Sequence, residues 1–433
     1  MFRTLSKRLQ YWAGQTKRKP VLLSGPRHVG KTWLVNDLAK REYDDLISLD
    51  FEEHPALASL FSGDAHPLKI LENISIYLGR RIDWENTLLF LDEVQATPGV
   101  IHCLGSFATE APHCHLIAAG SALGSFISKH MHEQESSLQY MTLYPLTFHE
   151  YLNATGEELL AGRLSAINPA DAFPGIIHEK LLRHLAQYLF LGGMPEVIKT
   201  FLESDDLSCA RKKQEEILSS LEEDFTVYGK RLQKRRIREV WNSVPAQLNA
   251  GNKKFRFNRL REQGRAATFG SSVQWLEVNG LIRVINRMRV PRLMLREYES
   301  RSQFRIYPFD TGLSGAMSGL KQELVSHPLK LFGQYHDTLI ETCAAAELSA
   351  ADFTDLFYWS SPADAEVDFL ILQGNHIYPV EVKSDTSRRK KNLQSYDRRF
   401  HPGRLFAVSP RNFEQQGHFT NLPLYAISSL KNY

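Results

Sequence analysis

Cysteine is scarce in this chain: four in 433 residues, at Cys103, Cys114, Cys209 and Cys343. None forms a C-x-x-C pair or a Cys/His ligand set. That excludes a zinc ribbon and a disulfide framework, and it fits a reducing compartment. No apolar run approaches the roughly 20 residues of a membrane-spanning helix. Residues 1–8 lack the apolar core of a secretion signal. A cytoplasmic protein without a membrane partner is expected. Fixed-period repeats and low-complexity tracts are absent too. What is present is ordinary in bulk, with 43% apolar residues and a length that allows two to four domains. The charge is not evenly spread. The whole chain carries +3, but Lys230 to Glu299 holds 17 Lys/Arg against 5 Asp/Glu, so the remainder carries −9. A basic block in an acidic chain points to nucleic acid or another polyanion.

The run Gly25-Pro26-Arg27-His28-Val29-Gly30-Lys31-Thr32 reads G-x-x-x-x-G-K-T. It follows a short apolar strand, Val21 to Leu23, and precedes a helical pattern, which is the context of a phosphate-binding P-loop. Gly25 and Gly30 let the backbone turn its N–H groups inward. Lys31 is placed for the β/γ-phosphates of ATP and Thr32 for Mg²⁺. A second run, Thr87 to Leu91, leads into Asp92-Glu93. Continuous apolar character marks a strand buried on both faces, and ligands of open α/β sheets sit at the carboxyl ends of such strands. Asp92 is the candidate to hold Mg²⁺, and Glu93 the candidate general base for an attacking water. A third strand, residues 115–119, ends near Ser121. That side chain is a candidate contact for the γ-phosphate or the water, or else a turn residue.

Residues 1–160 alternate strands (20–24, 46–51, 87–91, 115–119, 141–144) with helices, predicting a parallel α/β core. Residues 161–228 read as helical, around a break at Gly192-Gly193-Met194-Pro195. The basic segment, 229–300, gives a helix over Lys230 to Val244, a short helix at Asn258 to Glu262, another over Gly270 to Val278, and a strand from Leu281. That order suits a winged helix-turn-helix or a helical accessory module with a solvated basic face. Residues 301–433 form a second α/β unit, with a helix over 329–348, strands at 356–359, 366–372, 377–383, 404–408 and 423–427, and a helix near 387–400.

Within that unit the strand runs Glu366 to Gln373 and His376 to Lys383 flank Gly374-Asn375, a favourable two-residue hairpin turn. In this register Asp368 faces Glu381, with Cβ atoms about 5 Å apart. Glu381 and Lys383 lie two apart and share that face. Two acids and a Lys can assemble a metal-dependent phosphodiesterase site, the acids on Mg²⁺ and the Lys on the water or the transition state. The alternative is a half-exposed ribbon with a cross-strand ion pair. Glu341 is a candidate third metal ligand, with Asp337 and Glu347 competing. Arg388 to Lys391 suits phosphate contacts or a solvated helix start.

Several further stretches carry a resemblance: residues 143–152 (LYPLTFHEYL), 188–197 (YLFLGGMPEV), 244–248 with 252–255, and Glu366-Val367-Asp368 with Glu381-Val382-Lys383. With the P-loop they resemble a prokaryotic family that joins an AAA-type P-loop ATPase core to a helical lid, a winged-helix-like middle and a C-terminal PD-(D/E)XK, restriction-endonuclease-like domain. The resemblance implies an α/β fold and ATP binding and hydrolysis with Mg²⁺; the basic block makes nucleic acid the expected partner, with DNA favoured. It also allows a homo-oligomer. Two departures stand out. Met131 to Met141 contains no Arg, so an arginine acting there must come from elsewhere, and the spacing from Gly333 to Glu341 is longer than usual. The expected function is an ATPase that engages nucleic acid, with Asp368, Glu381 and Lys383 as a second, nuclease-like site. The alternative is a nucleotide-gated DNA-binding or protein-binding switch, for example a defence or toxin-linked regulator, whose nuclease-like domain is inert.

Overall fold

A computed structural model describes the chain apart from residues 62–65, 122, 125–136, 167–171, 226–230, 252, 294–296, 329, 332–335, 354, 362–364 and 384–390. The side chains of residues 98, 301, 336 and 337 are also outside the description. The side chain of the candidate acid Asp337 and the basic residues Arg388, Arg389 and Lys390 therefore lie outside the description, as does most of the arginine-free stretch 131–141.

The described residues cluster into two units, 1–144 with 278–280, and 145–277 with 281–433. The first holds a five-stranded sheet built from β1 (Val21–Ser24), β2 (Asp45–Asp50), β3 (Thr87–Asp92), β4 (His115–Gly120) and β5 (Gln139–Thr142), in the order β2-β3-β4-β1-β5. Every pairing is parallel. All residues of β3 and β4 are buried, as their unbroken apolar runs require of strands covered on both faces. The helix Lys31–Glu42 buries Leu34, Val35, Leu38 and Ala39 on one stripe. The helix Pro67–Leu78 begins on a proline and stops at Gly79, whose φ is 66°. That arrangement follows the usual asymmetry of helix ends. The expected strand at 141–144 forms two residues earlier, over 139–142.

The second unit begins at residue 145. The reason is a set of buried bonds made by the residues just after β5. The Leu146 N–H donates to the Gly193 carbonyl (2.7 Å), the Tyr188 hydroxyl donates to the Leu146 carbonyl (2.8 Å), and the Phe148 N–H donates to Glu347 (2.7 Å). Thr147 and Glu150 close a capping box on the helix Phe148–Ala154. Further helices run Gly175–Leu191, Pro195–Ser204, Leu207–Asp224, Arg231–Leu248 and Ala266–Val278. The expected helix at 258–262 is a 3-10 turn, Phe257–Arg259.

Eight strands then share one mixed sheet: β6 (Ile282–Met288), β7 (Glu299–Pro308), β8 (Phe357–Ser360), β9 (Glu366–Gln373), β10 (His376–Val382), β11 (Leu405–Ser409), β12 (Glu414–Gln416) and β13 (Phe419–Pro423). Their order is β12-β13-β11-β10-β9-β8-β6-β7. A boundary at 300/301 falls inside β7, because β6 pairs antiparallel with β7 and parallel with β8. The strand of the basic segment is thus laddered to the C-terminal strands. The strand expected at 423–427 is instead β13, ending at Pro423, followed by the 3-10 segment Leu424–Asn432. An apolar run of that length does not distinguish strand from helix by periodicity, and proline supplies no N–H to continue a ladder. The helices His336–Ala350 and Lys391–Phe400 belong to this unit, the second setting Tyr396 edge-on against Trp359.

Candidate phosphate-binding and acidic sites

In the first unit the P-loop turns between β1 and the helix Lys31–Glu42. Gly25 has φ 151°, and a Cβ there would lie 2.3 Å from the Leu143 carbonyl oxygen, so only glycine fits. Gly30, at φ 92°, is the left-handed N-cap of the helix. His28 takes φ 64° without being glycine, a tight turn that costs backbone strain. Val29 is fully buried. Arg27 points to Glu52, donating at 2.6 Å. Lys31 is 5% exposed and donates to the carbonyls of Gly25 and Pro26, each at 2.9 Å. Burial, partly opposed by the charges of Glu93 and Asp92, holds its ammonium below the usual lysine range.

The carboxyl ends of β3 and β4 complete this constellation. β4 lies between β1 and β3, so Ser121, just beyond its end, falls between the P-loop strand and the acidic pair. Thr32 donates its hydroxyl to Asp92 Oδ2 at 2.7 Å. The Glu93 N–H donates to Asp92 Oδ1 at 3.0 Å. Burial pushes the Asp92 carboxyl up, and the Thr32 hydrogen bond opposes that. Glu93 sits at φ 49°, ψ 44°, a conformation that non-glycine residues rarely adopt. Its Oε2 accepts from the Ser121 hydroxyl at 3.1 Å and from Gln95. All the residues expected of a nucleotide site are therefore brought together in one unit. Sequence reading missed Gln95 and Arg3. Arg3 is buried and donates to the carbonyls of Val29 (3.3 Å) and Tyr144, tying the N-terminal helix Thr4–Ala13 to the P-loop. The signal available for Gln95 was its place two residues after Glu93. For Arg3 no local pattern pointed inward.

In the second unit the hairpin forms in the expected register: Gln373 pairs His376 and Phe369 pairs Val380. Gly374 takes φ 57° in the turn. Asp368, Glu381, Lys383 and Glu341 gather as the motif suggested, with Glu341 at 0% exposure. They do not gather as bare acids. Glu341 accepts from Lys253, and from the Tyr307 hydroxyl at 2.8 Å. Arg305 Nη1 lies 3.2 Å from Asp368 Oδ1 and 3.7 Å from Glu341 Oε2, while Nη2 meets Glu366. The Val382 N–H donates to Asp368 Oδ2 at 2.9 Å. Glu381 Oε1 pairs with Lys383 (2.6 Å) and accepts from Asn392 (2.7 Å).

Burial and the neighbouring Asp368 charge push Glu341 up, against Lys253 and Arg305. Burial would raise Asp368 too, but Lys253, Arg305 and the Val382 N–H outweigh it and hold that carboxyl low. Burial raises Glu381, against Lys383. Among the described residues no group of three or more His, Cys, Asp or Glu is disposed to hold a metal ion. Glu347 is elsewhere, accepting from Phe148 and Tyr188 (3.2 Å). Arg305 was the overlooked residue. A charged side chain amid the apolar alternation of Phe304 to Phe309 signals a buried partner.

The basic segment is partly consumed by structure. Arg235 and Arg261 both pair with Glu239, Arg238 with Glu222, and Lys253 with Glu341. Arg256, Arg259 and Arg265 are exposed. No described helix is long and apolar enough to cross a membrane.

Comparison with known proteins bears on the first unit. Residues 17–152 match a family model described as an AAA domain. Residues 182–324 and 336–427 match two models of domains of unknown function, DUF8612 and DUF4143. No curated protein matches the chain. Solved structures overlap loosely. The Walker-type ATPase of Pyrococcus abyssi is 14% identical with a TM-score of 0.42, covering 72% of this chain and 94% of that one. PCH-2 of C. elegans is 13% identical at 0.30, over 48% and 67%. Cdc6p of Pyrobaculum aerophilum is 11% identical at 0.25, over 74% and 93%. Likeness at that level carries nothing about activity. The family match does: residues 17–152 are similar to an AAA domain, and that similarity supports ATP binding and hydrolysis.

Proposed function

We propose that the first unit binds ATP with Mg²⁺ and hydrolyses it, and that the second unit engages nucleic acid. The observation carrying the first part is the joined geometry of Lys31, Thr32 and Asp92. A buried ammonium held by loop carbonyls can turn to phosphate oxygens, and a hydroxyl-carboxylate pair at 2.7 Å offers two oxygens to one cation. The residues fit the group: Lys31 and the loop N–H groups would hold the phosphates, and Thr32 and Asp92 the Mg²⁺. When bound, Mg²⁺ supplies neutralisation of charge on the phosphate oxygens. Glu93 orients and deprotonates the attacking water, and Ser121 and Gln95 fix its carboxylate for that task. The test is paired. Lys31→Ala should lose ATP binding by calorimetry. Glu93→Gln should keep binding while turnover falls about 10²–10⁴-fold. Unchanged turnover in Glu93→Gln removes the base assignment.

Nucleic-acid engagement, with DNA favoured, is supported by the exposed arginines at 256, 259 and 265 within the +12 segment. Its test is salt: binding should weaken steeply as counterions compete for phosphates. No binding to DNA or RNA at low salt ends this part of the reading.

A further inference from the structure

We infer that Arg305 stands where a divalent cation would sit between Glu341 and Asp368, so that the acid cluster of the second unit is completed by the protein's own cations. The inference concerns this unit alone and holds or fails independently of ATP turnover.

The geometry is that of a bridging cation. One guanidinium nitrogen, Nη1, approaches both Asp368 Oδ1 and Glu341 Oε2. The other, Nη2, meets Glu366. Arg305 is 1% exposed, and its guanidinium lies 4.6 Å from the centroid of the Tyr358 ring, which fixes the group against an aromatic face. Both oxygens of Glu341 and both of Asp368, between which a metal would sit, are engaged by other groups, and so is Oε1 of Glu381. Glu341 is bonded by Lys253 and Tyr307, Asp368 by Arg305 and the Val382 N–H, and Glu381 by Lys383 and Asn392. Magnesium requires oxygen ligands at about 2.0–2.1 Å in near-octahedral order. Placing it between Glu341 and Asp368 would set a doubly charged ion against a buried guanidinium. The bonds that hold Arg305 are the bonds a metal would have to replace.

A cluster so arranged should become a metal site only when Arg305 loses its charge. The experiment is thermal melting of the full chain without nucleotide, in EDTA and in Mn²⁺. It compares wild type, Asp368→Asn, Arg305→Met, and the double variant. Any ion held at the P-loop contributes equally to all four. Wild type and Asp368→Asn should respond to Mn²⁺ alike. Arg305→Met should gain an extra Mn²⁺-dependent rise in Tm of about 2 °C or more, and the double variant should lose it. Two results would overturn the inference: a wild-type response that disappears in Asp368→Asn, or a folded Arg305→Met without an extra response. Should Arg305→Met fail to fold, Mn²⁺ bound per chain, counted by EPR, decides between wild type and Asp368→Asn. Equal counts uphold the inference, and one ion fewer in Asp368→Asn sinks it.

Discussion

In the first unit, Lys31 rests on two main-chain carbonyls, and Asp92 and Glu93 rest on hydroxyl, amide and N–H groups. Those partners are neutral, so the charges stay available to something that arrives. In the second unit Glu341, Asp368 and Glu381 meet Lys253, Arg305 and Lys383, and their charges are spent within the fold. Both places gather acids and a basic side chain, and Lys31, Asp92, Glu341, Asp368 and Glu381 are all buried. They differ in whether the buried charge is bonded directly to an opposite charge: Lys31 feels Glu93 and Asp92 only through space, whereas Glu341 and Glu381 touch Lys253 and Lys383. A buried ion without a bonded counter-charge costs stability and is kept where ligand binding compensates. A matched one specifies packing and resists new ligands.

Removing one cation from each place should break this contrast most visibly. Lys31→Ala should leave the melting temperature of the nucleotide-free chain nearly unchanged, because it deletes a desolvated charge along with its two carbonyl bonds. Arg305→Met should destabilise the second unit by about 3–5 kcal/mol, the usual cost of stranding a buried partner. Denaturant titration of both variants measures this. Equal losses would erase the distinction.

A smaller effect sharpens it. Glu347 is buried without a cationic hydrogen-bond partner among the described contacts, and burial pushes its carboxyl up to about 7. Asp310, buried on the Gly193 and Leu313 N–H groups, is raised to about 6 for the same reason. A carboxyl whose folded value exceeds its unfolded one binds its proton more tightly when folded. Stability is therefore lost as pH rises from the unfolded value, near 4.5, to about 7. Glu347→Gln, which retains an acceptor for Phe148 and Tyr188, should remove its share, about 3 kcal/mol at pH 8 and little at pH 4. Unfolding free energies at the two pH values provide the check, and a pH-independent difference would refute it.

The smallest effect concerns the exposed charges. Arg256→Glu, Arg259→Glu and Arg265→Glu together should lower the slope of log affinity against log salt by up to about 3 for duplex DNA, and leave ATP affinity unchanged. An unchanged slope would move any nucleic-acid surface away from residues 256–265.

By itself the sequence determined the P-loop, the acidic end of β3 and the hairpin register. Each depends on near neighbours: a glycine spacing, an apolar run leading into acids, and a two-residue turn that fixes which side chains face each other. Strand positions in the first unit were legible within about two residues, because strands buried on both faces leave unbroken apolar runs. Only the tertiary structure decided that β4 lies between β1 and β3, bringing Ser121 to Glu93. It alone made the segment after β5 part of the second unit, through bonds to Gly193 and Glu347 about 45 and 200 residues away. It alone set Arg305 between Glu341 and Asp368. Spacing along a chain shows which residues share a local face. Whether a buried charge finds its opposite depends on partners dozens of residues distant, and folding alone brings them within a hydrogen bond.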